Sequence, residues 1–459
     1  MMNRRHFLRT SCLGLGVGAG FASNLASFNA FAANTDDYKA LVCVFFFGAM
    51  DSHDMLLPYD QTSYNQFETI REPLLAQYDA AISRRRGNLL ALDGNLGGRR
   101  FAFPQEYGPL HDLYQQGDLA IVGNVGPMIE PLTRETFQSG AARRPAKLFS
   151  HNDQQSTWMA SRPEGATTGW GGRFADMMQA ADANAEAAFT AMSVSGNSVF
   201  LSGEDVQPFV ISSNGAARVN GIDQNVTLSS PEFNDVYQEI LRDTGANRAN
   251  LFRRDVASVV NSSLDNNGLL AEQLALPGDP MTTFPGGRLS SQLQMVARTI
   301  ARRNSLGMKR QFFFDTPGGY DTQSAKAADL PVLQADIAGY VRAFYDSLVE
   351  MGVENSVTTF TASDFGRTLG VNGDGTDHGW GSHHMVLGGA VNGGQIHGDV
   401  PPPELGHNQD AGRGRLIPQL SVDQYAASIG SWFGLSEGEL NDAIPGLGSF
   451  DRSALANLF

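Results

Sequence analysis

The amino-acid sequence predicts an α/β fold in which a mostly parallel central sheet carries helices on both faces. The first indication is a pair of apolar runs without polar alternation, residues 40–47 and 119–125, which are typical of buried parallel strands. The second is a set of amphipathic segments with apolar residues at three- and four-residue spacing, clearest at 290–303, 331–351 and 421–433. The two kinds of segment alternate along the chain, as they do in α/β proteins.

The other predicted elements fill the intervals between these segments. A short helix at 106–114 precedes the second strand, and further strands are predicted at 189–194, 209–212, 311–314 and 357–361. Each of these candidates is short and contains apolar residues. The pattern therefore predicts one sheet that is assembled from segments spread over most of the chain.

Two regions interrupt the alternation. The region from about 203 to 285 is polar, rich in Asn and weakly patterned, and we interpret it as a helical and irregular insertion with a helix at 231–265. Residues 392–418 are rich in Gly and Pro and predict a long loop, and loops of this length usually have a function or cover a site. We expect residues 33–459 to form a single domain.

The first 32 residues predict an export signal. Two adjacent arginines, Arg4 and Arg5, precede a Phe-Leu pair, which is the pattern that the twin-arginine translocase recognises. A weakly apolar run at 12–26 follows, and residues 30–32 offer a small-x-small cleavage site. A membrane anchor is the alternative, but the run is too short and too rich in Gly to span a bilayer. We expect a periplasmic or secreted protein that has no membrane span after cleavage.

Composition excludes some classes of partner. The 459-residue chain has a formal net charge of −15, so its surface repels nucleic acid and anionic lipid. Only Cys43 remains after the predicted cleavage, which excludes an intramolecular disulfide. We interpret Cys43, which lies within an apolar run, as a small buried hydrophobic residue.

Acidic and imidazole side chains follow several predicted strands. Because ligands in open parallel sheets bind outside the carboxyl ends of the strands, these side chains are candidates to share a divalent metal ion. Their oxygen and nitrogen atoms suit zinc, manganese or iron, and suit magnesium less well. The candidate metal ligands are Asp51, Asp321, Asp364, Asp377, His378 and His383.

Structural roles remain open for several of these residues. Asp51 follows a strand and could cap a helix or a turn, and Asp364 could cap the turn that follows it. Asp321 lies beside two glycines and could be a turn residue. His53 and His397 are interpreted as surface or structural residues. The Asp377–His378 pair in a Gly-rich segment favours a functional role.

A second group of candidates, Ser150 and His151, opens a predicted helix after a Pro-rich loop. A hydroxyl at a helix N-terminus is well placed to act as a nucleophile or to hold an oxyanion against backbone N–H groups. The alternative is that Ser150 is simply the N-cap of the helix, a common role for serine. His151 could assist the hydroxyl or bind metal.

The order of these motifs resembles a bacterial family of twin-arginine-exported proteins, the domain-of-unknown-function family 1501, which is related to the alkaline phosphatase and sulfatase superfamily. The resemblance covers nearly the whole chain after residue 32. The motifs that carry it are GAMD (48–51), SHNDQQ (150–155), TGW (168–170), GGYDT (318–322), SDFGRT (363–368), TDHGWG (376–381) and VLGG (386–389).

The resemblance implies an alkaline-phosphatase-like α/β domain that hydrolyses phosphate or sulfate esters with the help of divalent metal ions. It implies that Asp51, Asp321 and Asp364 are metal ligands, together with Asp377, His378 and His383 near the C-terminal end. Ser150 corresponds best to the nucleophile by its order along the chain, with His151 beside it.

Among the departures from the pattern of the family and superfamily, two bear on metal binding. Gln323 stands where the family often has a histidine after Asp-Thr, and Phe365 stands where superfamily phosphatases carry a metal-binding histidine. With two nitrogen ligands fewer, the site has room for one ion or for none, the ion being zinc, manganese, calcium or magnesium. The expected function is therefore hydrolysis of a small-molecule or glycan ester, and the alternative is a non-catalytic relative that binds a glycan or a protein.

Overall fold

The computed structural model describes residues 33–162, 164–216 and 251–459, with side chains from residue 255 onward in the last range. The predicted export signal and the first part of the predicted insertion helix, 231–250, lie outside the described residues. No helix in the described part of the chain has the length and apolar character needed to cross a bilayer.

Strands and helices alternate along the described chain. The strands are β1 (Lys39–Phe46), β2 (Leu57–Pro58), β3 (Leu90–Ala91), β4 (Phe101–Phe103), β5 (Leu119–Gly126), β6 (Ala191–Ser193), β7 (Phe209–Val210), β8 (Arg310–Asp315), β9 (Val357–Ser363), β10 (Arg367–Asn372), β11 (Gly375–His378), β12 (Ser382–Leu387), β13 (Ile396–Gly398) and β14 (Leu420–Ser421). The α-helices are α1 (Ser52–Met55), α2 (Gln61–Leu75), α3 (Gly108–Gln116), α4 (Arg134–Ser139), α5 (His151–Ala160), α6 (Trp170–Ala180), α7 (Leu251–Leu274), α8 (Arg288–Ala301), α9 (Lys326–Glu350), α10 (Val422–Phe433) and α11 (Glu437–Ala443).

The main sheet has nine strands in the order β13-β5-β12-β9-β1-β8-β6-β7, with β14 also paired to β5. Every neighbouring pair is parallel except the two pairs that involve β12. Because β12 runs against the other strands, it begins at the edge where β1, β8 and β9 end. The predicted α/β fold with a mostly parallel sheet is confirmed, and the loops at this edge come together.

Alternate residues of β1 face two different cores. Val42 and Val44 belong to the core that includes side chains of α3, α8 and α9. Leu41 and Cys43 belong to the opposite core, which includes side chains of α5, α6 and α10. Helices therefore cover both faces of the sheet, and Cys43 is a buried free thiol as predicted.

Some local predictions differ from the structure. The segment around Asp377–His378, predicted as a loop, forms the second strand of the β10–β11 hairpin. Its polar and glycine residues hide the strand, because a short edge hairpin has little apolar face to reveal. The predicted loop 392–418 likewise contains β13. Within the predicted insertion, the described helix α7 continues to Leu274, nine residues past the predicted end.

Candidate metal centre

Three predicted site residues converge at the edge where the parallel strands end. His151 is the first residue of α5, Asp321 lies in the loop after β8, and His378 is the last residue of β11. One nitrogen from each histidine and one oxygen of Asp321 all lie within 4.8 Å of one another. Asp364, which follows β9, contacts His151 and brings a fourth segment of the chain to the same place.

The distances within this cluster suit a small cation. His151 Nε2 lies 3.1 Å from His378 Nε2, while the Asp321 oxygens lie 3.7 Å and 3.6 Å from these two nitrogens. Ligand atoms at about 2.0–2.2 Å from a tetrahedral zinc ion are separated by roughly 3.3–3.6 Å. The side chains of His151 and His378 are 26% and 23% exposed, so the cluster is open to solvent on one side.

The hydrogen bond at the far side of His378 determines where its lone pair lies. Nδ1 of His378 is 2.8 Å from the carbonyl oxygen of Phe149, which can only accept, so Nδ1 carries the hydrogen. Burial lowers the pKa of His378, and the nearby His151 and Arg367 lower it further. The neutral ring therefore presents an Nε2 lone pair to the cluster.

The carboxylate of Asp364 has the same effect on His151. Asp364 is fully buried, and its Oδ2 accepts from Gln155 Nε2 at 3.0 Å and from the Gly48 N–H at 3.3 Å. The same oxygen contacts His151 Nδ1, which donates to it. With Nδ1 donating to this carboxylate, Nε2 is the nitrogen of His151 that faces His378. This carboxylate–imidazole arrangement is the one that orients metal-binding histidines.

The two imidazoles thus face each other through Nε2 atoms that lie 3.1 Å apart. Two lone pairs facing each other at this distance would repel, so a metal ion or a shared proton between the rings would make the contact favourable. The carboxylate of Asp321 lies within 4 Å of both nitrogens and favours that positive charge. The geometry can therefore hold one cation, with His151, His378 and Asp321 as its ligands.

A buried arginine fixes Asp321. Arg367 contacts the Asp321 carboxylate and also donates to the backbone carbonyls of Gly48, at 2.8 Å, and Thr376, at 3.0 Å. Burial alone would raise the pKa of Asp321, but the hydrogen bond and charge of Arg367 outweigh it and lower the pKa. Arg367 thus joins the loops after β1 and β8 to the β10–β11 hairpin and keeps the Asp321 carboxylate ionised.

Asp51 is not part of the cluster. It is the N-cap of α1, where its Oδ1 accepts from the His53 N–H at 3.0 Å, as the capping alternative predicted. Arg71 binds both of its oxygens, at 2.9 and 3.3 Å, and Lys326 contacts Oδ2. Burial and the charge of Arg367 lower the pKa of Lys326, whereas its contact with the Asp51 carboxylate favours the ammonium form. Both oxygens of Asp51 are therefore already committed to cations and a backbone N–H.

Asp377 also lies outside the cluster, because of strand geometry. Successive side chains of a strand point to opposite faces, and His378 takes the face toward the cluster. The Asp377 carboxylate accepts from Asn372 Nδ2 at 2.6 Å and pairs with Arg413 at 2.5 Å instead. Asp377 thus stabilises the β10–β11 hairpin and connects it to the loop that contains Arg413.

His383 has no lone pair to offer to a metal ion. Its Nδ1 accepts from the Asn124 N–H at 3.0 Å, so the hydrogen of the neutral ring resides on Nε2. Burial lowers the pKa of His383 to about 3, which keeps the ring neutral. The structure thus gives His383 a buried structural position in β12.

Ser150 occupies the N-cap position of α5, but its side chain makes no capping hydrogen bond to the helix backbone. Its Oγ donates instead to Asp153 Oδ2 at 2.8 Å, and Lys147 Nζ lies 3.3 Å from the other oxygen of Asp153. A hydroxyl beside a carboxylate has the pairing expected of a nucleophile and its base. The N-cap alternative for the side chain of Ser150 is not what the structure shows.

Residues around His378 that had no role in the sequence analysis hold it in place. Phe149 has a left-handed backbone (φ 74°), which is unusual for an aromatic residue, and its carbonyl fixes Nδ1 of His378. The guanidinium of Arg415 lies 5.0 Å from the Phe149 ring centre, and its Nε donates to the His378 carbonyl at 2.8 Å. Arg415 comes from the loop predicted to be functional, although nothing in the sequence singled it out.

Replacing Gly48 with alanine should lower the free energy of unfolding by about 2–5 kcal/mol, since backbone strain and overpacking combine. Gly48 has φ 106°, and an added Cβ would lie 2.4 Å from the backbone nitrogen of Asp321. Urea unfolding measures the effect. Gly98→Ala is the control, because Gly98 also has a positive φ (81°) but nothing within 4 Å of the added Cβ. Equal losses in the two variants would contradict the role of the Gly48–Asp321 contact.

Comparison with known proteins identifies the family. Two solved structures of Ps i-CgsB, one in complex with k-i-k-neocarrahexaose, are 9% and 10% identical to this chain, each with a TM-score of 0.35. The matches cover 88% and 91% of this chain and 74% and 78% of the other, and such low similarity carries no argument about function. No curated protein matches the sequence. The family described as "Protein of unknown function (DUF1501)" matches residues 38–413, and the chain belongs to this family.

Proposed function

We propose that this protein is an exported, metal-dependent hydrolase of phosphate or sulfate esters with one divalent ion held by His151, Asp321 and His378. The observation that carries the proposal is the pair of Nε2 atoms 3.1 Å apart, each made a lone-pair donor by the hydrogen bond on its own Nδ1. The Asp321 carboxylate completes a set of three ligands that is open to solvent.

Charge balance supports one ion and not two. Asp51 belongs to a buried ion-pair network in which three carboxylates face three cations: Asp51, Asp54 and Glu106 with Arg71, Arg84 and Lys326. A divalent ion added there would leave two excess positive charges in a fully buried position, at a high desolvation cost. Around the cluster, by contrast, Arg367 pairs with Asp321, and the Asp364 carboxylate pairs with no lysine or arginine among the described residues.

The ligand set also favours certain ions. Two imidazole nitrogens with one carboxylate suit zinc, and they also suit manganese or iron when further ligands are present. Calcium and magnesium prefer sites made wholly of oxygen ligands, so they fit this cluster less well. Zinc and manganese are therefore the ions to test first.

The surrounding residues would have separate tasks in ester hydrolysis. An ion in the cluster would supply positive charge to a phosphoryl or sulfuryl oxygen. Asp364 and the Phe149 carbonyl keep both histidines in the tautomer that offers Nε2, and Arg367 keeps Asp321 ionised. Ser150 is the proposed nucleophile, and Asp153, 2.8 Å from its hydroxyl, is the group that accepts its proton.

Export by the twin-arginine translocase belongs to the same proposal, and it places the enzyme in the periplasm or outside the cell. Arg4 and Arg5 support it, because they precede a Phe-Leu pair in the pattern that this pathway recognises. Folding before transport would let the four segments that form the cluster come together, and bind their ion, inside the cell.

Metal analysis of the purified protein after residue 32 tests the proposal. We expect about one equivalent of zinc or manganese and turnover of an aryl phosphate or an aryl sulfate that stops on chelation and returns on adding the ion. Ser150→Ala should abolish turnover and leave the metal content unchanged. Absence of stoichiometric metal would overturn the proposal and favour a non-catalytic protein that binds a glycan or another protein.

A further inference from the structure

The side chain of Gln323 lies against the same cluster, although no ligand role was predicted for it. Its terminal amide nitrogen is 2.6 Å from His378 Nε2 and 3.1 Å from Asp321 Oδ1. The terminal group of Gln323 thus joins the three proposed ligands, and five atom pairs among the four groups measure 2.6, 3.1, 3.1, 3.6 and 3.7 Å. The two contacts of the amide nitrogen are hydrogen bonds, whereas the three separations among His151, Asp321 and His378 are near the roughly 3.3–3.6 Å between ligands of a tetrahedral site.

The backbone of Gln323 is fixed, although its side chain is exposed. Its N–H donates to the Asp321 carbonyl at 2.9 Å. The hairpin backbone at Gly375 approaches so closely that an added Cβ there would lie 2.1 Å from the Gln323 carbonyl oxygen. Gln323 is therefore held at the solvent side of the cluster by local backbone contacts.

The carboxamide can present either of its two ends to the cluster. The nitrogen donates to the His378 lone pair and to Asp321, and rotation about the last side-chain bond brings the oxygen to nearly the same place. An amide oxygen is a good ligand for a hard divalent ion. It is neutral, and it is held less firmly than an imidazole with a buried partner.

We infer that Gln323 is the fourth ligand of the ion, bound through its carboxamide oxygen on the solvent side, where a substrate can displace it. This inference rests on the proposed metal site, and it adds the identity of the fourth ligand. Catalytic sites usually keep that position for water or substrate, and a weak neutral ligand is compatible with such exchange. Gln323 would thus influence which ion the site prefers and how easily a substrate displaces the fourth ligand.

Manganese is the probe for the first test. Gln323→Ala should weaken manganese binding about tenfold or more. It should also increase the water-proton relaxation enhancement per bound manganese, because a water molecule takes the place of the amide. Gln395→Ala is the matched control, since this exposed glutamine bonds Asn392 away from the cluster. An affinity and a relaxation enhancement that both equal those of the unmodified protein would overturn the inference.

The second test uses zinc, and here the variant should bind the ion more tightly. Gln323→His should strengthen zinc binding about tenfold or more relative to manganese, because imidazole suits zinc better than an amide does. An unchanged preference between zinc and manganese would count against Gln323 as a ligand while leaving the three-ligand site standing. Failure of every form to bind either ion would overturn the proposed function together with this inference.

Discussion

Replacing His378 with alanine should weaken binding of zinc or manganese by at least about 100-fold and leave the fold intact. Loss of an outer partner of a ligand already costs about 10–100-fold in affinity, so loss of the ligand itself should cost at least the upper value. The fold should tolerate the change, because His378 is at the end of a short hairpin strand and its side chain is 23% exposed. Isothermal titration with zinc, and separately with manganese, measures the loss.

A matched pair of variants makes this result specific. His397→Ala is the control, since His397 is a half-buried histidine whose ring bonds only the Asn392 carbonyl among the described residues. Asp364→Asn tests the orientation of His151, and we expect a smaller loss of about 10–100-fold. A His378→Ala protein that binds metal as tightly as His397→Ala would refute the three-ligand site.

The residues that converge were largely predictable from the sequence. His151, Asp321, Asp364 and His378 were all candidates, because parallel strands bring the residues that follow them to one edge of the sheet. Their division into direct ligands and supporting residues was not predictable. Asp364 was expected to bind metal, but it lies fully buried against His151 Nδ1, and only the packing of α5 beside β9 shows this.

The orientation of a candidate side chain could not be predicted from the sequence, as the candidates outside the cluster show. Asp377 and His378 are neighbours, and the choice between them depends on which face of β11 is turned inward. His383 has the right chemistry, but its lone pair accepts from the Asn124 N–H, a contact between residues 259 positions apart. A motif gives the type of side chain, whereas the direction of a lone pair depends on contacts that are distant along the chain.

Asp51 is the clearest case, because its partners come from distant helices. Arg71 lies in α2, a helix that the sequence analysis did not predict, and Lys326 is the first residue of α9. No residue near Asp51 in the sequence indicates that Arg71 and Lys326 will bind it. Strand position favours a metal ligand, but an ammonium and a guanidinium already provide positive charge there.

Replacing Asp51 with asparagine should lower the free energy of unfolding by about 3–5 kcal/mol, because it leaves Arg71 and Lys326 buried without their shared countercharge. The side chains of all three residues are at most 1% exposed, so water cannot take over that role. Urea unfolding measures the loss. The same substitution should leave zinc and manganese affinity unchanged, since Asp51 is not among the residues that converge on His151.

The control for Asp51→Asn is Asp346→Asn, the same substitution in a half-exposed pair with Arg342. Exposed pairs of this kind contribute about 0.3–0.5 kcal/mol, so the two variants should differ roughly tenfold in their effect on stability. Adding Lys326→Met to Asp51→Asn should recover part of the loss, because it removes one of the two cations that have lost the Asp51 carboxylate. If Asp51→Asn instead abolishes metal binding in a protein that is still folded, Asp51 is a ligand after all. The buried ion-pair network would then have to open to admit a second ion, and the single-ion site would be wrong.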